Sequence, residues 1–351
     1  MWDEQDKIDE KLLRDWADMK KLQHPKYWVE MKNKMQKSMR KRRRVYFMRY
    51  AAIFILFVAG CSIYFLVNDR EEVLSQERST LAHIKPGERK ATLHMSNGKA
   101  VVLSMDSLFL TESDGTNIRS DAGNGIVYHS QSVECVEKIH NTLEVPVKGE
   151  FNITLADGTQ VWLNSCSKLV YPVDFSDTIR EVYLEGEAFF DVTENKEKPF
   201  IVKTKDYSVR VLGTAFNIMD YGDEGYSHTT LARGKVQIQY GDQQEILTPG
   251  KQAFFRDGKV SVKEVDPLFY TTWMNDRFYF DCENLENIMR KLSRWYGIRV
   301  EFKDENAKGL HFVGSVPKYS NISDVCYIIA LATHVKFDLK EDVLRISEMT
   351  R

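Results

Sequence analysis

Hydrophobic and polar residues follow three successive periodicities along this chain, and the changes between them divide it. In residues 1–49, Ile8, Leu12, Leu13, Trp16 and Met19 recur at helical spacing with Asp and Lys between them. That spacing predicts an amphipathic helix over about residues 5–22, closed by Pro25. A second stripe, Trp28, Met31, Met35 and Met39, predicts a helix that runs into the basic cluster Arg40, Lys41, Arg42, Arg43 and Arg44. A segment this short rarely holds a core of its own, so its apolar faces call for a partner helix or for the lipid surface.

Residues 50–67 read YAAIFILFVAGCSIYFLV, with no charge. Eighteen helical residues at 1.5 Å each span roughly 27 Å, just enough for the hydrocarbon of a bilayer. A single transmembrane helix is therefore expected over residues 45–67, with Arg49 snorkelling to the headgroups and Tyr46, Phe47 and Tyr50 at the interface. The basic cluster precedes the run, and Asp69, Glu71 and Glu72 follow it. The positive-inside rule then places residues 1–44 in the cytoplasm and residues 68–351 outside the inner membrane, in the periplasm. A cleaved signal peptide would have a shorter apolar core nearer the N-terminus. Val58-Ala59-Gly60-Cys61 also resembles a lipoprotein box with Cys61 as the lipidated residue, but the apolar run continues to Val67, which a lipoprotein would not need.

After a polar linker over residues 68–85 the period becomes two. Residues 90–104 and 150–164 echo each other: in each, an alternating strand meets Asn97-Gly98 or Asp157-Gly158 and another strand leaves, a strong hairpin signal. The echo suggests two β units, residues 86–143 and 144–268, and no further repeat is visible in the sequence. Short strands are predicted over residues 181–192, 200–204, 207–212, 216–219, 235–240 and 252–255, with no helices between them. They predict an all-β body, a sandwich or solenoid-like. From about residue 273 the texture changes again. A strand over residues 277–282, a helix from Leu285 to Trp295 closed by Gly297, and a strand over residues 298–302 are followed by a half-repeat. Its strand covers residues 310–316, its helix residues 322–332, and two more strands residues 335–339 and 343–347. Residues 273–348 thus predict a small α+β module built as a βαβ repeat.

Charge separates the two ends: residues 1–49 hold fifteen Lys and Arg against eight Asp and Glu, leaving the rest of the chain net acidic. The basic residues lie against the membrane, which argues against direct nucleic-acid binding. Five cysteines form no CxxC pair. Cys135, Cys166, Cys282 and Cys326 would face an oxidising compartment, which allows one disulfide whose pairing the spacing does not set. No two His stand at metal-ligand spacing, and no phosphate loop, nucleophile elbow or dinucleotide fingerprint is present, so neither a metal site nor a cofactor is expected. Glu185 and Glu187, in an alternating strand, are expected to face solvent.

In order along the chain, GEFNITLADGTQVWLNSCSKLVYPVDF, REVYLEGEAFFDV, PFIVKT, VRVLGTAFNIMDY, LARGKVQIQ and LTPGKQAFF resemble the FecR-like anti-sigma factors of TonB-dependent cell-surface signalling. The resemblance covers about residues 86–348, and the last module resembles a secretin and TonB short N-terminal domain. It implies a non-enzymatic protein whose cytoplasmic head, with Leu12, Leu13, Trp16 and Trp28 as apolar anchors, holds an extracytoplasmic-function sigma factor. It also implies that the C-terminal module, with Phe278, Phe280, Leu285 and Trp295, meets the signalling domain of an outer-membrane receptor, and that an intramembrane or periplasmic protease relays the signal. Gly213-Thr214 matches the place where some members cleave themselves: the Thr hydroxyl would attack the preceding carbonyl, and water would open the ester. The other reading of that dipeptide is a bend that needs glycine. The head is shorter than is usual in the family, and Cys166 stands where its pattern has a small residue or Asn. A different class of answer is a membrane-anchored glycan-binding or envelope-scaffold protein, whose aromatic residues would line a sugar groove.

Overall fold

The structure, a computed structural model, describes residues 84–104, 107–113, 115–121, 125–129, 139–340 and 343–348. The expected cytoplasmic head and membrane helix, with Leu12, Leu13, Trp16, Trp28 and Cys61, lie outside the described residues. No helix among the described residues is long and apolar enough to cross a membrane.

Alternating apolar residues put one face of each strand inward, and two sheets close on each other across one core. In the first sheet the hydrogen-bonded order is Ala100–Leu103, Ala91–His94, His140–Val145, Ser167–Pro172, the first half of Arg180–Asp191, Phe200–Lys203, Ser208–Val211, Val236–Tyr240 and Gln243–Leu247. In the second it is Leu108–Thr111, Asn117–Asp121, Gly125–His129, Gly149–Thr154, Gln160–Leu163, the second half of Arg180–Asp191, Ala215–Asp220, Ser227–Arg233, Lys251–Arg256 and Lys259–Glu264. Leu93, Leu143, Leu169, Val202 and Ile238 of the first sheet meet Ile126, Val161, Phe190, Phe216 and Leu231 of the second, all fully buried in one cluster. The all-β body is therefore a sandwich, and the strands of residues 91–129 share its core with those that follow.

The echoed hairpins close with the same hydrogen bonds. Met95 N–H donates to Lys99 O at 2.9 Å and Gly98 N–H to Met95 O at 3.0 Å; Leu155 with Thr159 and Gly158 with Leu155 repeat the pattern at 2.9 Å each. A third copy, invisible in the sequence comparison, lies at Glu112–Thr116, where Glu112 N–H reaches Thr116 O at 2.9 Å and Gly115 N–H reaches Glu112 O at 3.0 Å. Each turn places its glycine in the left-handed region, with φ of +80°, +86° and +81° at Gly98, Gly115 and Gly158, which glycine adopts without steric cost.

The twelve-residue strand Arg180–Asp191 belongs to both sheets. Its first half pairs with Ser167–Pro172 and Phe200–Lys203, its second with Gln160–Leu163 and Ala215–Asp220. The crossing falls at Gly186, with φ +94°, where a Cβ would stand 2.6 Å from Ser167 Oγ and 2.8 Å from Ser167 Cα. One strand loses its two-residue burial rhythm there: the alternation that holds through Glu185 gives way to continuous burial from Gly186 to Phe190. Glu187 is consequently buried, at 9% exposure, and the expectation that it faces solvent is corrected. Ser227–Arg233, which carries Ser227, His228, Thr229 and Thr230 inward, has no apolar alternation to reveal it and was not among the expected strands.

In the C-terminal module the expected strands and helices occur, but their pairing differs from a βαβ repeat. Arg277–Asn284 pairs antiparallel with His311–Pro317, whereas Arg299–Phe302 pairs parallel with Val343–Glu348, whose other neighbour is Val335–Lys340. The two halves thus exchange strands to make two small sheets, which lets the inward faces of the helices Leu285–Tyr296 and Ile322–Thr333 join one core. The first helix starts at Asn284, whose Oδ1 accepts from Asn287 N–H at 2.8 Å, and ends at Gly297 with φ +66°.

Candidate functional site at the C-terminal module

The polypeptide leaves the sandwich at Glu264 and enters the module through Leu268–Thr271 and Thr272–Met274. Trp273 anchors this passage. Its ring packs with Phe189 and Ala215, and its indole N–H donates to Asn217 Oδ1 at 3.0 Å. Asn217 in turn donates to Glu187 Oε1 at 3.0 Å, and Asn164 donates to Glu187 Oε2 at 2.9 Å. Burial pushes the Glu187 carboxyl up from its ordinary value, against the opposing pull of Lys291 and the two amides. A carboxylate that sequence alternation put in solvent is thus the floor of the junction.

Beside it, Lys318 is fully buried. Its ammonium bonds to Glu150 of the strand Gly149–Thr154 and donates to Trp273 O at 2.6 Å. The same group stands 4.3 Å from the Trp295 ring centre and 5.7 Å from those of Trp273 and Phe278. The Tyr319 hydroxyl donates to the other Glu150 oxygen. Burial lowers the Lys318 pKa, and the Glu150 charge offsets part of that effect. A buried charge keeps its net cost small only when it is paired and its hydrogen bonds are made, as here. On the flank, Arg290 and Arg294 of the first helix reach Glu224 at 2.8 and 2.7 Å, and Arg294 also reaches Asp223 at 2.9 Å. The Arg294 guanidinium lies 3.8 Å from the Tyr221 ring centre. Aromatic packing, a buried ion pair and partly exposed ion pairs therefore seat the module on the sandwich.

The four module residues expected to meet a partner are corrected by this arrangement. Phe278, Phe280, Leu285 and Trp295 are 5%, 1%, 0% and 1% exposed and form the module's own core. Phe278 and Phe280 lie on the strand Arg277–Asn284, and Leu285 and Trp295 on a strongly two-faced helix whose apolar side turns inward. Outward apolar residues of the module include Tyr327 and Leu331 on the second helix, 49% and 62% exposed, Val313 on the strand His311–Pro317, and Tyr319. The sequence carried a signal for this: Val325, Tyr327, Ile328, Ile329, Ala330 and Leu331 crowd more than one face of that helix, so one set stays outside after the core is filled. Beside the helix, Val335–Lys340 forms the edge of the three-stranded sheet.

Gly213 and Thr214 lie in the bend between Ser208–Val211 and Ala215–Asp220. A Cβ on Gly213 would stand 2.7 Å from Glu194 Cα, so close backbone approach accounts for the glycine. The buried Thr214 hydroxyl donates to Lys235 O at 3.0 Å. Cys166, Cys282 and Cys326 are unbonded, and Cys61 and Cys135 lie outside the described residues. Cys166 has φ +60°, a left-handed conformation that Asn adopts more readily, which explains why its place in the family pattern suits Asn. Among the described residues no group of three or more His, Cys, Asp or Glu could hold a metal ion.

Comparison with known proteins fits this layout. Residues 141–237 match the FecR protein family and residues 277–346 match the FecR C-terminal family, one within the sandwich and one on the module. Two crystal structures of a candidate anti-sigma factor from Parabacteroides distasonis ATCC 8503, at 1.65 and 2.50 Å resolution, superpose with a TM-score of 0.56 each. They are 27% and 28% identical to this chain, cover 60% of it, and are themselves covered over 99% and 100% of their length. No curated protein matches the chain. The two family matches, in chain order, and the fold shared with that candidate anti-sigma factor mark the chain as FecR-like.

Proposed function

We propose that this chain is an inner-membrane anti-sigma factor. Its cytoplasmic head, residues 1–44, holds an extracytoplasmic-function sigma factor through Leu12, Leu13, Trp16 and Trp28. One helix crosses the membrane, and the periplasmic sandwich and module receive a signal from a TonB-dependent outer-membrane receptor. The observation that carries the reading is the FecR and FecR C-terminal matches, in chain order, on a fold shared with a candidate anti-sigma factor. Full-length chain is expected to co-purify a sigma factor encoded beside it, and Leu12→Asp with Trp16→Ala to abolish capture. Equal capture by the double variant would sink the assignment of those anchors, and failure of the native chain to bind any such sigma factor would sink the reading.

For the receptor contact, the exposed helix face replaces the buried aromatics. Tyr327 and Leu331 offer an apolar stripe, and the adjacent edge strand Val335–Lys340 offers backbone groups for strand addition. Tyr327→Asp combined with Leu331→Asp is expected to abolish pull-down of the receptor's signalling domain. Because both side chains are exposed, each substitution should change stability by no more than about 0.5 kcal/mol. Unchanged pull-down alongside an unchanged melting curve would remove this face from the interaction.

A further inference from the structure

The stretch of residues 84–90 follows the expected membrane helix and its linker, and it touches the far end of the chain before it joins the sandwich. Ile84 packs against the core of the C-terminal module. Gly87 is buried, and a Cβ there would stand 2.6 to 2.8 Å from three carbons of the Trp295 ring. The backbone therefore passes directly against that indole, where a side chain has no room. The sandwich's polar hold on the same stretch is slight. Glu88 and Arg89 pair in parallel with Gly149 and Glu150, with Glu88 N–H donating to Lys148 O at 3.0 Å and Lys90 N–H to Glu150 O at 3.1 Å. Arg89 stands 3.9 Å from Glu150 and its side chain is exposed, a geometry in which an ion pair contributes little.

The module also holds the strand with which residues 88 and 89 pair. Lys148 N–H donates to Arg294 O at 2.8 Å, and a Cβ on Gly297 would stand 2.7 Å from Lys148 Cδ. Glu150 bonds to Lys318 and Tyr319, and the Tyr319 ring meets Trp295 edge-on with centres 5.5 Å apart. Residues 84–90 thus depend on the module twice, by direct contact and through their strand partner. We propose that the module clasps this stretch, so that a seated module holds the membrane-side end of the chain and an unseated one frees it. The consequence rests on the inner-membrane reading of residues 45–67. With the module seated, the chain is held from Ile84 onward. With it lifted, the firm attachment begins at Ala91–His94, which pairs on both sides with Ala100–Leu103 and His140–Val145. Freeing residues 84–90 lengthens the tether by up to roughly 25 Å, at about 3.5 Å per residue. A receptor that draws the module off its seat would slacken the link to the cytoplasmic head without rearranging either core.

The test is hydrogen exchange read by mass spectrometry on the full-length chain in detergent, at peptides covering residues 84–90 and 285–297. Arg290→Ala with Arg294→Ala removes the flank ion pairs to Asp223 and Glu224 while leaving Ile84, Gly87, Glu150 and Trp295 as they are. This variant is expected to speed exchange in residues 84–90 by about ten-fold or more, because opening of the clasp then exposes those amides more often. In the reverse direction, Gly87→Leu pushes against the Trp295 ring and should speed exchange in residues 285–297, since coupling between two sites is reciprocal. Gly87→Ala, which adds only the Cβ, is the milder variant should Gly87→Leu fail to accumulate. Exchange in residues 84–90 that keeps its native rate in the arginine variant would overturn the clasp, as would a Gly87 variant that loosens residues 84–90 alone. Sigma-factor capture is read separately on the native chain, so failure of the clasp leaves the proposed function standing, and failure of capture leaves the exchange result intact.

Discussion

Glu150→Gln is expected to destabilise the seated module by about 3–5 kcal/mol, the range for stranding one member of a buried ion pair. The substitution leaves the Lys318 ammonium at 0% exposure, facing Trp295, Trp273 and Phe278, with neutral carbonyl oxygens as acceptors and no counter-charge. Lys318→Met should cost less. It replaces the charge with an apolar chain of similar length in an aromatic surround, and Glu150 keeps the Tyr319 hydroxyl and Arg89 at 3.9 Å. The double variant should be more stable than the sum of the two losses implies, because the stranded charge is gone. Urea unfolding followed by fluorescence of Trp273 and Trp295 reads all three, and additive losses would refute the coupling.

A pH dependence follows. Burial places the folded Lys318 pKa below its ordinary 10.5. Between that lowered value and 10.5 the unfolded chain holds a proton that the folded chain has released, so this group's contribution to stability rises with pH across that window. Below the window both states are protonated and the penalty is full. Glu150 raises the Lys318 pKa, so Glu150→Gln should open the window at lower pH.

Gly186→Val should be among the most damaging single changes in the sandwich. Its φ of +94° is strained for any residue with a side chain, at about 1–3 kcal/mol. The added atoms also meet Ser167 Cα at 2.8 Å and Cys166 O at 2.9 Å, backbone that moves only if the neighbouring strand moves, at about another 1–3 kcal/mol. Because the crossing strand ties the two sheets together, the loss should appear as a single lowered unfolding transition or as failure to accumulate folded protein. Gly222→Ala, at a position where a Cβ meets nothing within 4 Å, serves as the control. A Gly186→Val protein that melts like the native chain would show that the crossing tolerates a side chain.

The residues that could be read ahead of the structure are those whose role is settled by near neighbours. Asn97-Gly98 and Asp157-Gly158 announce hairpins because a left-handed glycine and a two-strand rhythm are local facts, and Gly297 closes a helix for the same reason. The third turn escaped notice because the short strands around Glu112–Thr116 alternate without a clean apolar series: Leu108 and Leu110 are only half-buried and Phe109 is exposed. The four aromatic and aliphatic residues expected at the receptor contact form the module's own core, because large apolar side chains mark a core as readily as a binding face.

Local periodicity, then, was enough for the β body, the strands and helices of the terminal module and the ordered motifs of a FecR-like chain, since each depends on residues a few positions apart. The burial of Glu187, the exchange of strands in the module and the Lys318 cage depend on meetings across long stretches of chain, such as residue 150 with residue 318. No pattern along the chain encodes such a meeting, because the free energy that selects it comes from desolvation and packing that exist only once both sheets and both helices are in place.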